Sequence, residues 1–240
     1  MKTQIHIGTS SYNNRLWQPL FYPEELPRSR WFDYYCEHFS TYELNVTFYK
    51  FPTVRTLQNW YKKAPNQFRF SVKAPKSITH IKRFDDCATD LQQFYSIVRE
   101  GLMDKLACVL FQLPPSFSYS AEKLQLILEH LNPEFTNAVE FRNDSWWRED
   151  VFAAFRKYKV IFCNVSYTGL KETIVTTHTT GYLRLHGTPQ LFYSGYSDET
   201  IAERIAEIRL QPGLDDFYVY FNNTAGLEGI ANALLAKKLG

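Results

Sequence analysis

Residues 138–147 have the sequence AVEFRNDSWW, which is the pattern of a buried strand that ends in a loop. Because side chains alternate along a strand, Glu140 and Arg142 share one face, opposite the apolar face that begins with Val139. Two opposite charges on the inner side of an apolar strand need partners, since an unpaired buried charge is costly. The stretch therefore predicts a strand at which other charged groups of the protein converge.

Apolar stretches of the same kind recur along the chain and alternate with helical patterns. The strand patterns cover residues 4–9, 41–48, 68–74, 107–113, the stretch from 138, 160–165, 182–186 and 217–221. The helical patterns cover residues 30–39, 54–64, 87–102, 121–131, 148–158, 198–210 and 227–239. Alternating strands and helices imply a parallel sheet, and eight such units predict an α/β fold, a TIM-type (β/α)8 barrel formed as a single domain over residues 1–240.

Residues 166–181 interrupt this alternation of strands and helices. They are rich in threonine and show no helical pattern, so the barrel is expected to be irregular around its sixth helix. The alternative architecture is an open, doubly wound sheet. A Gly-x-Gly-x-x-Gly motif is missing after the first strand, which counts against a dinucleotide-binding version of that sheet.

The composition favours a protein with a substantial core and little overall charge. Hydrophobic residues make up 45% of the chain and 27 basic residues stand against 25 acidic ones, so a strongly basic nucleic-acid binder is not indicated. The four cysteines are widely spaced without a Cys-x-x-Cys pair, which predicts reduced thiols. Neither a signal peptide nor an apolar run of membrane-spanning length is visible, so we expect a cytoplasmic protein with no membrane partner.

The inward-facing side chains of the predicted barrel are unusually polar. In a TIM barrel the residues facing the axis are normally Val, Ile and Leu. Here the same face carries His6, Glu43, Asn45, Lys73, Gln112, Glu140, Arg142, Arg184, His186 and Asn222. Most lie near the carboxyl ends of their strands, where barrel enzymes place their chemistry. A purely structural network explains any one of them equally well, but as a set it would desolvate many charges for little net stability.

The charges at this end of the barrel predict a slightly cationic pocket for a small anionic ligand, such as a phosphate or a carboxylate. Two carboxylates face three cations, namely Glu43 and Glu140 against Lys73, Arg142 and Arg184. Barrels often bind phosphate with the loops after their last two strands. Residues 187–188 and 222–226 are small and polar enough for this, although ordinary turn and capping chemistry explains them equally well.

Two carboxylates and a histidine at one end of the barrel are also suited to general acid–base catalysis, with Glu43, Glu140 and His186 as the candidate catalytic residues. The predicted substrate-binding residues are Asn45, Lys73, His80, Gln112, Arg142, Arg184, Tyr193, Tyr196, Asn222 and Asn223. A single divalent metal on the three candidate catalytic residues is the alternative, but the ligand spacing does not support it. The sequence indicates no other cofactor and no oligomeric state.

Short motifs in a fixed order give the chain a resemblance to a known family. They are residues 7–10 (IGTS), 21–23 (FYP), 43–45 (ELN), 47–49 (TFY), 70–73 (FSVK), 79–80 (TH), 111–114 (FQLP), 139–142 (VEFR), 145–146 (SW), 184–187 (RLHG), Tyr193 with Tyr196, 221–223 (FNN) and 232–233 (NA). In this order they resemble the domain-of-unknown-function 72 family, also called YecE-like. The resemblance covers nearly the whole chain and implies a TIM-like barrel, but no assigned activity. Residues 11–12 depart from the family, which usually has Gly followed by an aromatic residue there.

Three functional hypotheses remain, and the clustered inner charges favour the first. It is an enzyme that uses acid–base chemistry on a small anionic metabolite, phosphorylated or not. The second is a nucleic-acid enzyme or binder of the endonuclease IV type, in which loop aromatics stack on bases, namely Tyr12, Trp17, Tyr193 and Tyr196. The third is a non-catalytic barrel that binds a metabolite or a partner protein through exposed aromatic side chains.

Overall fold

The strands of the computed structural model, which describes residues 3–18 and 20–240, form two parallel sheets. Their bounds are β1 (Gln4–Thr9), β2 (Thr41–Leu44), β3 (Arg69–Lys73), β4 (Leu106–Gln112), β5 (Asn137–Glu140), β6 (Ile161–Phe162), β7 (Asn164–Ser166), β8 (Thr180–Leu185) and β9 (Asp216–Phe221). One sheet has the order β1-β9-β8-β7 and the other has the order β2-β3-β4-β5-β6.

The two sheets together give a TIM-barrel-like arrangement of eight parallel strands. Only Cys163 separates β6 from β7, so these two segments form one interrupted strand between β5 and β8. On the opposite side, no strand pairing joins β1 to β2 within the described residues, and we call this junction the seam. The hydroxyl of Tyr35 bridges the seam, since it accepts from the Thr9 amide at 2.9 Å and donates to the Thr41 carbonyl at 3.0 Å. The predicted barrel-type fold is confirmed, with a seam in place of full closure.

The helices pack outside the strands, as the apolar periodicity predicts. In the described ranges they are α1 (Trp31–His38), α2 (Val46–Tyr49), α3 (Val54–Lys63), α4 (Ala88–Leu102), α5 (Ala121–His130), α6 (Glu149–Tyr158), α7 (Asp198–Arg209) and α8 (Glu228–Leu239). Side-chain oxygens of Thr53, Ser120 and Ser197 cap α3, α5 and α7 by accepting backbone amides. Residues 167–179 contain no helix, in agreement with the predicted irregularity. None of the helices that the structure describes is long and apolar enough to cross a membrane.

The prediction of one strand over residues 41–48 was wrong in its second half. The structure ends β2 at Leu44, and Asn45 has helical backbone angles that begin α2. The hydroxyl of Thr47 donates to the carbonyl oxygens of Leu44 at 2.9 Å and Lys73 at 2.6 Å. These bonds satisfy the free carbonyls at the ends of two strands, so tertiary contacts override the β-branched pattern of the sequence.

The interior of the barrel is divided into two layers of different character. At the amino ends of the strands the interior is filled mainly by apolar and tyrosine side chains, with Tyr182, Tyr218 and Tyr220 the largest. His6 belongs to this end, because it stacks on Tyr218 at 4.6 Å and its Nε2 lies 2.7 Å from Asp216. The charged inward-facing residues therefore gather at the carboxyl ends of the strands, which we call the mouth, and His6 is not among them.

Substitution of Gly8 is expected to damage the seam. Gly8→Ala should lower the free energy of unfolding by about 2 kcal/mol, because the added Cβ would lie 2.5 Å from the Thr41 carbonyl oxygen. Gly169→Ala is the matched control, since a Cβ there meets nothing within 4 Å and the positive φ of 82° alone costs about 1 kcal/mol. Urea denaturation of both variants measures the difference, and equal losses would contradict close contact at the seam.

Candidate functional site

The guanidinium of Arg184 lies at the centre of the mouth, between the carboxylates of Glu43 and Glu140. Its Nε and Nη2 donate to Glu43 at 2.9 and 2.7 Å, and its Nη1 donates to Glu140 at 2.6 Å. The Arg184 side chain is 1% exposed and the two carboxylates are 0% exposed. A buried charge of this kind is tolerated only when its donors are satisfied, and the bidentate contact with Glu43 supplies the strongest geometry for this.

A chain of hydrogen bonds extends from this ion pair around the mouth. Arg142 donates through Nε to Glu140 and through Nη2 to His186 Nε2, the latter at 2.8 Å. The other ring nitrogen of His186 lies 2.9 Å from Asn222 Oδ1, and Asn222 in turn donates to Ser10 Oγ at 2.5 Å. The chain links the carboxyl ends of β5, β8, β9 and β1, so these side chains hold one another in place.

The tautomer of His186 follows from its partners. An arginine can only donate, so Nε2 of His186 accepts from Arg142, and the ring proton lies on Nδ1, where it donates to Asn222. Burial, together with the charges of Arg142 and Arg184, lowers the pKa of His186 to about 3. His186 is therefore neutral at ordinary pH, and it cannot take up a proton without giving up its bond to Arg142.

The carboxylates of Glu43 and Glu140 are likewise occupied by hydrogen-bond donors. Burial raises the pKa of Glu140, but the guanidiniums of Arg142 and Arg184 outweigh it and hold the pKa well below its usual range. Glu43 accepts the hydroxyl of Tyr182 at 2.7 Å in addition to Arg184. The oxygens of both carboxylates are thus occupied by donors of buried side chains.

A metal ion does not fit between the three candidate catalytic residues. The position between Glu43 and Glu140 holds the guanidinium of Arg184, and the acceptor lone pair of His186 is directed at Arg142. Within residues 3–18 and 20–240, no three His, Cys, Asp or Glu side chains converge in a way that could hold a metal ion. The positive charge at the centre of this site is supplied by the chain itself.

Above this network lies a pocket of about 610 Å³, which we call the mouth pocket. Of the residues predicted to bind substrate, those that line it are Asn45, Lys73, His80, Gln112, Arg142, Arg184 and Asn222. Four of the lining side chains are cationic, namely Lys73, Lys76, Arg142 and Arg184, and none of the described lining residues is acidic. Glu43 and Glu140 lie beneath the pocket, so its wall shows the cations and hides the carboxylates.

Lys73 is a basic side chain of the mouth pocket whose amine lies between a neutral amide and an aromatic ring. Its Nζ donates to Gln112 Oε1 at 2.8 Å and lies 4.1 Å from the ring centre of Phe48, and no described carboxylate forms an ion pair with it. Desolvation, and next the charge of Arg184, lowers the pKa of Lys73 to about 7. An amine at the wall of the pocket is therefore available in both protonation states near neutral pH.

Three predicted substrate-binding residues lie outside the mouth pocket. The hydroxyl of Tyr196 accepts the Gly187 amide at 2.8 Å, and Asn223 donates to the Ser194 carbonyl at 3.0 Å. Both bonds fix the loop of residues 187–197 and do not reach the pocket wall. Tyr193 belongs to the same loop and is 55% exposed.

The two aromatic residues of the first long loop that were considered for base stacking are packed into the protein. Trp17 is fully buried, and its Nε1 donates to the Gly226 carbonyl at 2.9 Å. Tyr12 packs edge-to-face against Phe32 and Trp60 at 5.2 and 5.6 Å. Tyr12 thus joins the loop to α1 and α3, and Trp17 joins it to the segment before α8, so neither ring is free for a ligand.

Sequence reasoning missed several lining residues, namely Ser10, Phe48, Tyr49, Lys76, Pro115, Tyr167, Leu191 and Phe192, whereas Thr224 and Ala225 belong to the loop of residues 222–226 that was considered for phosphate. Most of them stand in loops just past the strand ends. Tyr167 follows β7 directly, and its ring lies 4.1 Å below the guanidinium of Arg142. Position in a loop at the carboxyl end of a barrel strand was the one signal that could have found Tyr167 and Lys76.

The fold and the site define a TIM-barrel-like protein with a charged, ligand-sized pocket at its mouth. The chain belongs to the DUF72 family, because the model described as "Protein of unknown function DUF72" matches residues 6–240. A DUF72 family protein from Thermotoga maritima with a known crystal structure is 28% identical to this chain in sequence. The two structures superpose with a TM-score of 0.87, and 98% of each chain is covered. A DUF72 family protein from Enterococcus faecalis is 18% identical with a TM-score of 0.80 over 98% of this chain and 95% of that one, and this likeness shows the fold alone.

Two curated relatives place the chain in the same group of proteins. The UPF0759 protein YunF of Bacillus subtilis is 29% identical over 150 residues, which are 60% of this chain and 52% of that protein. The UPF0759 protein YecE of Escherichia coli O157:H7 is 24% identical over 186 residues, which are 76% of this chain and 62% of that protein. The matched part of the chain thus spans between half and two thirds of the length of these relatives. The predicted membership of the YecE-like family is confirmed.

Glu140 is expected to be essential for folding stability. Glu140→Gln should lower the free energy of unfolding by roughly 3–5 kcal/mol, because it leaves the buried guanidinium of Arg142 without a carboxylate and that of Arg184 with Glu43 alone. Glu134→Gln is the matched control, since Glu134 pairs with Arg99 at the solvent-exposed surface and its loss should change little. Chemical denaturation at neutral pH measures both variants.

The pH dependence of stability provides a second readout for Glu140. Because its pKa in the folded chain lies below the value of 4.5 in the unfolded chain, its stabilising contribution is complete above pH 4.5 and declines as the pH falls below it. The wild type should therefore lose more stability than Glu140→Gln between neutral and acidic pH. Parallel curves for the two proteins would contradict the depressed pKa.

The protonation of His186 can be observed directly. Since the pKa of His186 is about 3, Nδ1 should show the nitrogen shift of an N–H group and Nε2 that of an acceptor at every pH above about 4. Long-range ¹H–¹⁵N spectra of the imidazole rings measure both shifts. A titration of His186 near pH 6.5, or a proton on Nε2, would contradict the bond from Arg142.

Proposed function

We propose that the chain is an enzyme that binds a small anionic metabolite in the mouth pocket and performs acid–base chemistry on it. The observation that carries this proposal is the pocket lining, which includes four basic side chains and, among the described residues, no acid. Charges in a partly dehydrated pocket interact more strongly than in water. The lining would therefore attract an anion more strongly than the same side chains in solvent.

The donors available to an anion support the proposal. Arg142 uses Nε and Nη2 for Glu140 and His186, while its Nη1 has no acceptor among the described side chains and backbone. Lys76 is exposed at the pocket rim, and Lys73 donates to a neutral amide, that of Gln112. Arg184 has all three nitrogens engaged, so in this proposal it contributes charge from below and no direct contact.

The proposal assigns proton transfer to Lys73. A general acid or base works best when its pKa lies near the operating pH, and the pKa of Lys73 is lowered to about 7. Glu43, Glu140 and His186, to which the sequence pattern assigned this role, act here as hydrogen-bond acceptors that hold the arginines, because Arg142 and Arg184 already donate to them. The substrate contacts then come from Arg142, Lys76 and polar groups on the pocket wall.

A cytoplasmic location remains part of the proposal. All four cysteines are free thiols in the structure, and this supports a reducing compartment. The curated relatives are proteins of bacteria.

Single-stranded nucleic-acid binding is the second candidate, and one observation favours it. Tyr49 is 83% exposed at the rim of the mouth pocket, and Tyr193 is 55% exposed in the neighbouring loop. An exposed aromatic ring beside a cationic pocket can stack on a base while the phosphate is neutralised. Fluorescence anisotropy with a labelled oligonucleotide at low salt, comparing the wild type with Tyr49→Ala, separates this candidate from the first.

Binding of inorganic phosphate tests the proposed anion site. Lys76→Gln should raise the Kd for phosphate roughly three- to tenfold, because it removes one of the pocket cations without disturbing a buried pair. Lys62→Gln carries the same charge change on the exposed end of α3, away from the mouth, and should leave the Kd unchanged. Isothermal titration calorimetry measures both.

Equal effects of the two substitutions on the Kd would contradict a local anion site. Binding without turnover of a broad panel of phosphorylated and carboxylated metabolites would instead support the non-catalytic, metabolite-binding version of this barrel.

A further inference from the structure

We propose that Lys73 is a nucleophile that forms a Schiff base with a carbonyl compound bearing a carboxylate or phosphate group. The inference rests on the proposed function, because it names the substrate class and the reacting atom of the same mouth pocket. It is carried by the position of the amine, by the chemistry of its one hydrogen-bond partner and by the cations around it.

Lys73 is placed so that its amine would contact a ligand in the mouth pocket. Lys73 is the last residue of β3, so its side chain starts at the strand end that faces the mouth pocket, and it lines the pocket wall. The ring of Phe48 lies 4.1 Å from Nζ and covers one side of it. The amine is thus fixed at the wall and remains in contact with the pocket.

The partner of Nζ is compatible with the free amine. Gln112 Oε1 is a neutral acceptor at 2.8 Å, and Gln112 is held in turn by its own bond to the Leu113 carbonyl at 2.7 Å. An amine that has lost its proton can still donate an N–H to this oxygen while its lone pair is directed elsewhere. A carboxylate partner would have favoured the ammonium form, which is not nucleophilic.

The surrounding charges also favour the free amine. Desolvation comes first, and the positive charge of Arg184 adds to it, so the pKa of Lys73 is lowered to about 7. At neutral pH roughly half of the molecules would carry the nucleophilic form, compared with far below one percent for an ordinary lysine. The carboxylates of Glu140 and Glu43 raise the pKa of Lys73, Arg142 lowers it, and burial with the two arginines outweighs the carboxylates.

The same cations define the substrate class. Lys73 shares the pocket wall with Arg142, whose Nη1 lacks a protein acceptor in the described chain, and with Lys76 at the rim. A carboxylate attached directly to the carbonyl carbon, or a phosphate further along the molecule, would be bound by these two side chains. The class is therefore a 2-oxo acid or a phosphorylated aldehyde or ketone.

The covalent step balances without another reactant. The lone pair of Nζ forms a bond to the carbonyl carbon while the C=O π bond breaks, and one of the two Nζ protons passes to the oxygen to give a carbinolamine. The C–O bond of this carbinolamine then breaks and the hydroxyl leaves as water with the second Nζ proton, while the C=N bond forms. One molecule of water is released for each Schiff base, and nothing is oxidised or reduced.

Borohydride trapping with pyruvate tests the inference on the full chain. We expect one reduced adduct per chain, located at Lys73 by peptide mass mapping, and a rate of trapping that rises with pH around a midpoint near 7. Lys73→Arg should abolish the adduct, whereas Lys62→Arg, a surface control, should keep it. Acetone, which lacks the anionic group, should label Lys73 more slowly than pyruvate, and inorganic phosphate should protect Lys73 in the wild type.

The outcomes separate this inference from the proposed function. Phosphate binding without a trapped adduct at Lys73, or adducts spread over the surface lysines, would overturn the Schiff base and leave the anion pocket standing. Equal labelling of Lys73 by acetone and pyruvate, together with no phosphate binding, would support the nucleophile and overturn the anion pocket. Protection by phosphate needs no substitution, so the inference stays testable even if Lys73→Arg folds poorly.

Discussion

The burial of one guanidinium between two carboxylates constrains the rest of this structure. Arg184 comes from β8 in one sheet, while Glu43 and Glu140 come from β2 and β5 in the other sheet. Because each of these charges would be costly alone, the ion pairs connect the two sheets across the axis of the barrel. The polar mouth is thus a structural element of the fold as well as the floor of a binding site.

The network divides the charges of the mouth into two levels. Below the pocket wall, the charge of Arg184 is matched by Glu43 and Glu140, and these groups are fully occupied with one another. At the wall itself, Lys73 and Lys76 have no buried counter-charge among the described residues, and part of Arg142 is free. The lower level fixes geometry, and the upper level retains the capacity to bind an anion.

Much of this arrangement could be predicted from the sequence, because charged residues rarely occupy the inward face of a strand. This rule located Glu43, Glu140 and Arg184, and the alternation of strand and helix patterns predicted the barrel-type fold. It did not predict the turn at Asn45, which depends on tertiary bonds of Thr47, or the lining residues carried by loops. Residue types alone also do not show whether the lone pairs of a His or Glu side chain are already used by hydrogen-bond donors. A buried His near two Glu residues suggests acid–base chemistry until the arginine donors directed at them are known.

At the seam, neighbouring strands of the barrel are joined in a different way from all the other strands that the structure describes. At every other junction a backbone ladder or the continuous chain at Cys163 joins the strands, whereas β1 and β2 are bridged in the described structure by the hydroxyl of Tyr35. Ser10, the residue immediately after β1, lines the mouth pocket. On this side the pocket wall therefore depends on a side-chain hydrogen-bond bridge, whereas on its other sides it rests on backbone-paired strands or on the continuous chain.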